Sequence, residues 1–507
     1  MELSTPQMFP GGLRFARLLP ALLLALVMAS SAMAEPAEPS RRRSGFDFGP
    51  FISRHQDVNG DWRLKILGPL YEQAESGDGM RLDAVRPLYS TVEDPTRDRA
   101  LTDVVWPLAT SRTVRDENQW RYLFFFGFNH TTNDPGQRYR TWLIPFYFQG
   151  RDAEGKTYRA LFPVGGTIKD FVGRDEISFV LFPLYSTSAL NDLSTVNVLW
   201  PFISRTRSER DHIYRARVFP FYGVNRHRDK FDKRFILWPI YTEVHYQYPK
   251  GHGKGHMVFP LYGRLDLDTE KTWWVVPPLV RFTRGENMNI TYAPWPFYQR
   301  RVGAGIDQRY LWPLWGKKVI DDLDTRFYLW PIFWTERDRR PGQTVERVLV
   351  VPFFSHTAVR ADTSGATAAD APPEVLARRH KFWPLYSYRR VEEASHLRLV
   401  ELWPFADTPS VERNWAPLWS LYTRSARGAD VDHEALWGVF RHQRRGDDYR
   451  YVSLFPLVDV TREEAASESV RSWNLLKGLV GYERKGSRKS IRLLYFVRIG
   501  IGKESPP

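Results

Sequence analysis

Few residues of this chain are spaced for chemistry. His252 and His256 stand four apart in Gly251-His252-Gly253-Lys254-Gly255-His256. A loop carrying such a pair can touch a transition metal, but a structural or catalytic zinc site needs a third protein ligand, and none is evident. Asp321, Asp322 and Asp324 make an acidic turn without the spacing and closing glutamate of a calcium loop. Asn129-His130-Thr131 and Asn289-Ile290-Thr291 fit the glycosylation acceptor pattern, which also arises by chance. There is no Gly-x-Ser-x-Gly elbow, no Walker loop and no His-Glu-x-x-His. The chain has no cysteine, which excludes thiol catalysis and thiolate-held metals. No catalytic, cofactor-binding or metal-binding residue is assigned, and a chain that is not an enzyme is expected.

The elements around these residues are set by a repeat. Leu181-Phe182-Pro183-Leu184-Tyr185 returns as Leu199-Trp200-Pro201-Phe202-Ile203, Leu237-Trp238-Pro239-Ile240-Tyr241 and Leu329-Trp330-Pro331-Ile332-Phe333. Such prolines recur about every 19 residues, and a fixed period marks a repeat architecture. Clear units centre on Pro107, Pro145, Pro163, Pro183, Pro201, Pro220, Pro239, Pro260, Pro296, Pro313, Pro331, Pro352, Pro384, Pro404 and Pro456. Weaker ones centre on Pro50, Pro69, Pro87, Pro278 and Pro417, and Gly127 and Gly438 replace the proline in two more.

A central proline would break a helix, and the flanks are rich in Val, Ile, Phe, Tyr and Trp. Between the centres lie turn clusters such as Asn191-Asp192. Each unit therefore reads as one strand of roughly 10 to 14 residues plus a turn. Proline cannot donate to a ladder, so either every strand is bent at its middle or each unit is two short strands with a kink between them.

Arg14 and Arg17, the apolar run Leu18 to Ser30 and the small-residue site Ala32-Met33-Ala34 match a secretory signal peptide over 1–34. A basic linker with Arg41-Arg42-Arg43 follows over 35–45, then a single β-repeat domain over 46–500 and a tail over 501–507. The interval from Pro352 to Pro384 holds a small-residue, proline-containing stretch, read as a flexible insertion at 356–380. With 72 basic and 58 acidic residues the net charge is +14, spread along the chain. In an exported protein such charge suits anionic lipid or polysaccharide better than nucleic acid, but a solvated, arginine-rich surface explains it more simply.

The fold class is therefore all-β, an antiparallel meander of tandem strand repeats. A large β-barrel is the leading closure, because polar strand ends flank an apolar middle. The alternative is a soluble β-repeat body: a propeller, a spiral or a folded sheet. A trough able to hold lipid chains is a third. The corresponding function is a non-enzymatic outer-membrane or envelope-associated protein acting as barrel, conduit or scaffold. Its rival is a soluble periplasmic or secreted protein that binds polysaccharide or protein partners. Both place the chain in the outer membrane or periplasm of a bacterium with an outer membrane.

Overall fold

A computed structural model describes residues 45–131, 138–152, 154–361, 375–465 and 468–501. The stretch read as a signal peptide, most of the basic linker and the tail beyond Ile501 lie outside these residues. From Phe46 the chain is one antiparallel meander of 46 strands, β1 (Phe46–Phe48) to β46 (Val497–Ile501), each paired with its sequence neighbours. Six residues is the usual strand length, about 20 Å at 3.4 Å per residue.

The repeat is a hairpin rather than one long strand. β16 (Tyr185–Leu190) and β17 (Leu193–Val198) are joined by Asn191-Asp192, and β17 is joined to β18 (Ile203–Ser208) by Leu199-Trp200-Pro201-Phe202. Every nineteen-residue unit thus contains two strands, and the proline sits where the chain reverses. The missing N–H and fixed φ of proline explain this: both are costly in a ladder and harmless in a turn. The turns alternate along the sheet, with the repeat's aromatic-proline turns on one rim and mostly Asn-, Asp- and Gly-containing turns on the other. The clusters at Pro404 and Pro417 depart from the pattern. Pro404 lies in an irregular segment, and Pro417 lies in the short helix Ala416–Trp419. The insertion expected at 356–380 begins and ends in strands, β34 (Phe354–Ala361) and β35 (Val375–Phe382). Its small-residue centre, 362–374, is outside the described residues.

One face of the sheet carries small residues beneath large rings of the adjacent strand. Gly223 is the register partner of Phe235, Gly263 of Trp274 and Gly316 of Phe327. A Cβ at Gly223 or Gly316 would fall 2.0 or 2.1 Å from the facing phenylalanine ring. A small residue opposite a ring lets that face bend inward without a clash. Phe148, Ala160, Ile168 and Phe179 form a local apolar core on strands further back.

β1 pairs only with β2 (Ile52–Gln56), and β46 only with β45 (Arg488–Leu493), so both edges are free and the sheet does not close into a barrel. Instead it folds back on itself. Asp47 in β1 meets Arg441 in β40 (Phe440–Arg445) and Tyr451 in β41 (Tyr449–Leu454). Lys65 in β3 (Trp62–Ile66) meets Glu434 in β39 (Asp430–Ala435). Asp103 in β7 (Arg99–Val104) meets Arg413 and Asn414 in the helix Pro409–Asn414. Partner numbers fall as strand numbers rise. That order belongs to a sheet folded about its middle; in a spiral both would rise together. The leading expectation of a barrel is corrected, and the folded-sheet alternative describes the molecule.

Candidate functional site

The proline rim is the most unusual surface of the molecule. The residue after each proline points into solvent: Leu184, Phe202, Phe221, Ile240, Leu261 and Leu314 are between 49% and 64% exposed. Two residues before the proline, Leu181, Leu199, Leu237 and Leu329 are exposed as well. These four leucines have φ between 45° and 50°, a left-handed conformation that costs an ordinary side chain about 1–2 kcal/mol. The hairpin turns of the opposite rim take the same conformation at residues such as Asn191, Asp229 and Asp321.

In four of the proline turns every N–H is bonded within the protein. In the turn 237–240, Leu237 N donates to Phe221 O, Trp238 N to Pro220 O and Ile240 N to Leu237 O, all at 2.7–2.8 Å. The fourth residue is Pro239, which has no N–H to satisfy. The turns 181–184, 199–202 and 329–332 repeat the scheme, each bonding to the preceding proline turn. The rim therefore combines exposed apolar side chains with turns whose N–H groups are, in these four, bonded within the protein.

Behind the tips the surface is layered. Trp200, Trp238, Trp295 and Trp330 are half exposed beside the prolines, with Tyr185, Tyr222 and Tyr262 just after. Further along each strand come charges. On β21 (Phe231–Ile236), exposed Ile236 at the rim is followed on the same face by Arg234 and Asp232, ion-paired at 3.1 Å. The opposite rim is polar, with turns such as Asn191-Asp192 and Arg228-Asp229-Lys230.

The two ends of the sheet are joined by an ionic seam. Glu72 accepts from Arg63 at 2.8 Å and from Arg86 at 2.6 Å. Burial raises the Glu72 carboxyl, but the Arg86 and Arg63 guanidiniums override it and hold the group well below the usual carboxylate range. A cavity of about 610 Å³ lies in the seam, with His55 and His396 among its lining. Burial, reinforced by Arg398, pushes His396 down to about 4. Burial and Arg441 likewise lower His55.

Glu401, Asp407 and Glu412 bring carboxylate oxygens within 4.8 Å of one another. Their charge is already met inside the protein: Lys381 Nζ lies 2.6 Å from Asp407, and Arg398 bonds both Glu401 and Glu412. The histidine pair is not assembled into a larger cluster. His252 lies beside Asp268, while His256 is 3.2 Å from the Tyr262 hydroxyl. Asp324 is taken by Arg326 at 2.7 Å. Asn129 and Asn289 both stand within paired strands, β10 (Phe126–Thr131) and β27 (Met288–Tyr292).

A second cavity, of about 930 Å³, lies inside the bend of the sheet, lined by strands from β15 (Arg174–Val180) to β26 (Val280–Gly285). Sequence reasoning missed this cavity and the seam, because both depend on which distant strands come to face one another. Among the described residues no helix is long and apolar enough to cross a membrane, which does not bear on strands. No known family model matches the chain, and no curated protein matches it.

Proposed function

We propose that this is an exported, non-enzymatic envelope protein, a β-repeat scaffold whose proline rim seats in one leaflet of a membrane. The observation that carries this reading is the rim itself: one exposed apolar side chain after another at the proline-turn tips, from Leu88 to Leu457. The polar rim bonds its turn N–H groups in the same way, so the apolar tips are what set the proline rim apart. The layering from apolar tips to a Trp/Tyr belt to charges is the order of a membrane interface. The net charge of +14 favours anionic lipid surfaces. The N-terminal apolar run and its small-residue site support export.

The depth is shallow. From Ile236 the first charge is two residues away, about 7 Å along the strand. A six-residue strand is shorter than the roughly 9 to 11 residues that cross a bilayer. A seat in one leaflet thus fits better than a spanning wall. The rival reading, a soluble envelope binding protein, leaves the rim in water. Flotation on anionic vesicles separates the two: wild type floats, and the triple variant Phe221→Asp/Ile240→Asp/Leu261→Asp stays at the bottom. Wild type that fails to float at low salt sinks the membrane reading.

A further inference from the structure

We propose that the cavity inside the bend holds one anionic phospholipid, its apolar end toward the proline rim and its phosphate against Arg215 and Lys233. The proposal deepens the membrane-seat reading, which supplies the source of the ligand.

The cavity's volume, about 930 Å³, falls among those of small-molecule sites. Its lining changes character along the strands. At rim level stand Phe235, Trp238, Met257 and Trp274, and Arg217 and Arg281 share that level in register. One pleat further from the rim, three adjacent strands place Arg215, Asn225 and Lys233 in register as a row. Asn225 Oδ1 accepts from Arg215 Nε at 3.1 Å. The Lys233 ammonium stands 4.6 Å from the Phe231 ring and 5.3 Å from that of Tyr246. Two cations flanking one amide lack the carboxylate that ordinarily accompanies them.

The contrast with the other face of the same strands carries the inference. There the cations are neutralised: Arg226 by Asp232 at 3.1 Å, Arg234 by Asp232 at 3.1 Å and Arg264 by Asp266 at 2.7 Å. On the cavity face, Arg215, Arg217, Lys233 and Arg281 form no ion pair with any described residue. Of the two carboxylates beside the cavity, Glu243 is on the other face, paired with Arg234 at 3.8 Å, and Glu270 shares the cavity face with Arg281. An unpaired cationic row below a ring-rich mouth that also holds Arg217 and Arg281 matches a molecule with an anionic head and an apolar tail. Guanidinium and ammonium groups both suit phosphate.

The test uses the purified full chain in a neutral detergent. It is titrated with short-chain phosphatidylglycerol, with phosphatidylcholine of the same chains and with glycerol phosphate, binding being read by native mass spectrometry. Phosphatidylglycerol should bind at least about tenfold more tightly than either of the others. Arg215→Glu/Lys233→Glu should lose about tenfold or more of that affinity while still floating on neutral vesicles. The milder Arg215→Gln/Lys233→Gln serves if charge reversal prevents folding, and it should weaken binding in the same direction. Equal affinity for phosphatidylcholine, equal affinity for glycerol phosphate, or undiminished binding by both variants overturns the proposal. A chain that binds phosphatidylglycerol in detergent yet never floats refutes the membrane seat and leaves the lipid site standing.

Discussion

Asp103→Ala should unlock the seam between the two ends of the sheet. Asp103 is fully buried and pairs with Arg413 at 2.6 Å and with the Asn414 side-chain amide at 2.9 Å, across 310 residues of sequence. Removing it leaves a largely buried guanidinium without its partner, which costs about 3–5 kcal/mol. The loss falls on the docking of the helix Pro409–Asn414 against β7, since each strand keeps its own ladder. At about 1.4 kcal/mol per factor of ten, amide exchange in that helix should quicken by about a thousandfold, or until protection there is gone. Hydrogen exchange read by mass spectrometry resolves peptides covering 99–104 and 409–419. Peptides from 222–311, far from the seam, serve as the control and should not change. Less than about threefold acceleration at the seam, or equal acceleration everywhere, refutes the assignment of Asp103 as a clasp between the sheet ends.

The seam should also weaken in acid. His396 is neutral in the fold, so an opened seam binds more protons between pH 6.5 and about 4. Its contribution is whole above pH 6.5 and falls away toward pH 4, by about 3 kcal/mol at most; exchange at 394–399 measured against pH should show this slope, and His396→Asn should flatten it. Below that range Glu72 adds a further loss, because its carboxylate is held low by Arg86 and Arg63 and must take up a proton. Gly316→Ala places a Cβ against the Phe327 ring and should destabilise by about 1–3 kcal/mol, read by denaturant unfolding, with Phe327→Leu in the same chain recovering part of it. Half-exposed rim side chains each gain about 1 kcal/mol on entering lipid, so the Phe221/Ile240/Leu261 triple aspartate variant should lose about a hundredfold in vesicle partitioning.

Much of the fold was legible because the repeat is written in local chemistry. The nineteen-residue period, the β-forming flanks and turns such as Asn191-Asp192 lead to an antiparallel meander without further help. The proline was misplaced for a physical reason. In Leu237-Trp238-Pro239-Ile240-Tyr241 all four neighbours favour strands, so the five read as one strand centre. Nothing local reveals that Leu237 takes φ 49° and reverses the chain. The helix Pro409–Asn414 had a signal, Thr408 ahead of Pro409, a proline at a first helical position. The seam had none. Asp47 and Arg441 stand almost 400 residues apart, and their pairing follows from where the sheet folds, which depends on the summed curvature of every strand between them. The cavity row Arg215-Asn225-Lys233 was hidden likewise, since a charged residue on a strand looks the same from either face.

The membrane seat is tested most directly by depth. The chain contains no cysteine, so a single nitroxide can be attached wherever one is introduced. One label belongs at Ile240→Cys on the proline rim and one at Asp229→Cys on the opposite rim. On anionic vesicles, oxygen should relax the label at 240 strongly and a water-soluble nickel complex hardly at all, with the reverse at 229. Equal exposure of both labels to the nickel complex would mean that the rim stays in water, and the membrane seat would be wrong.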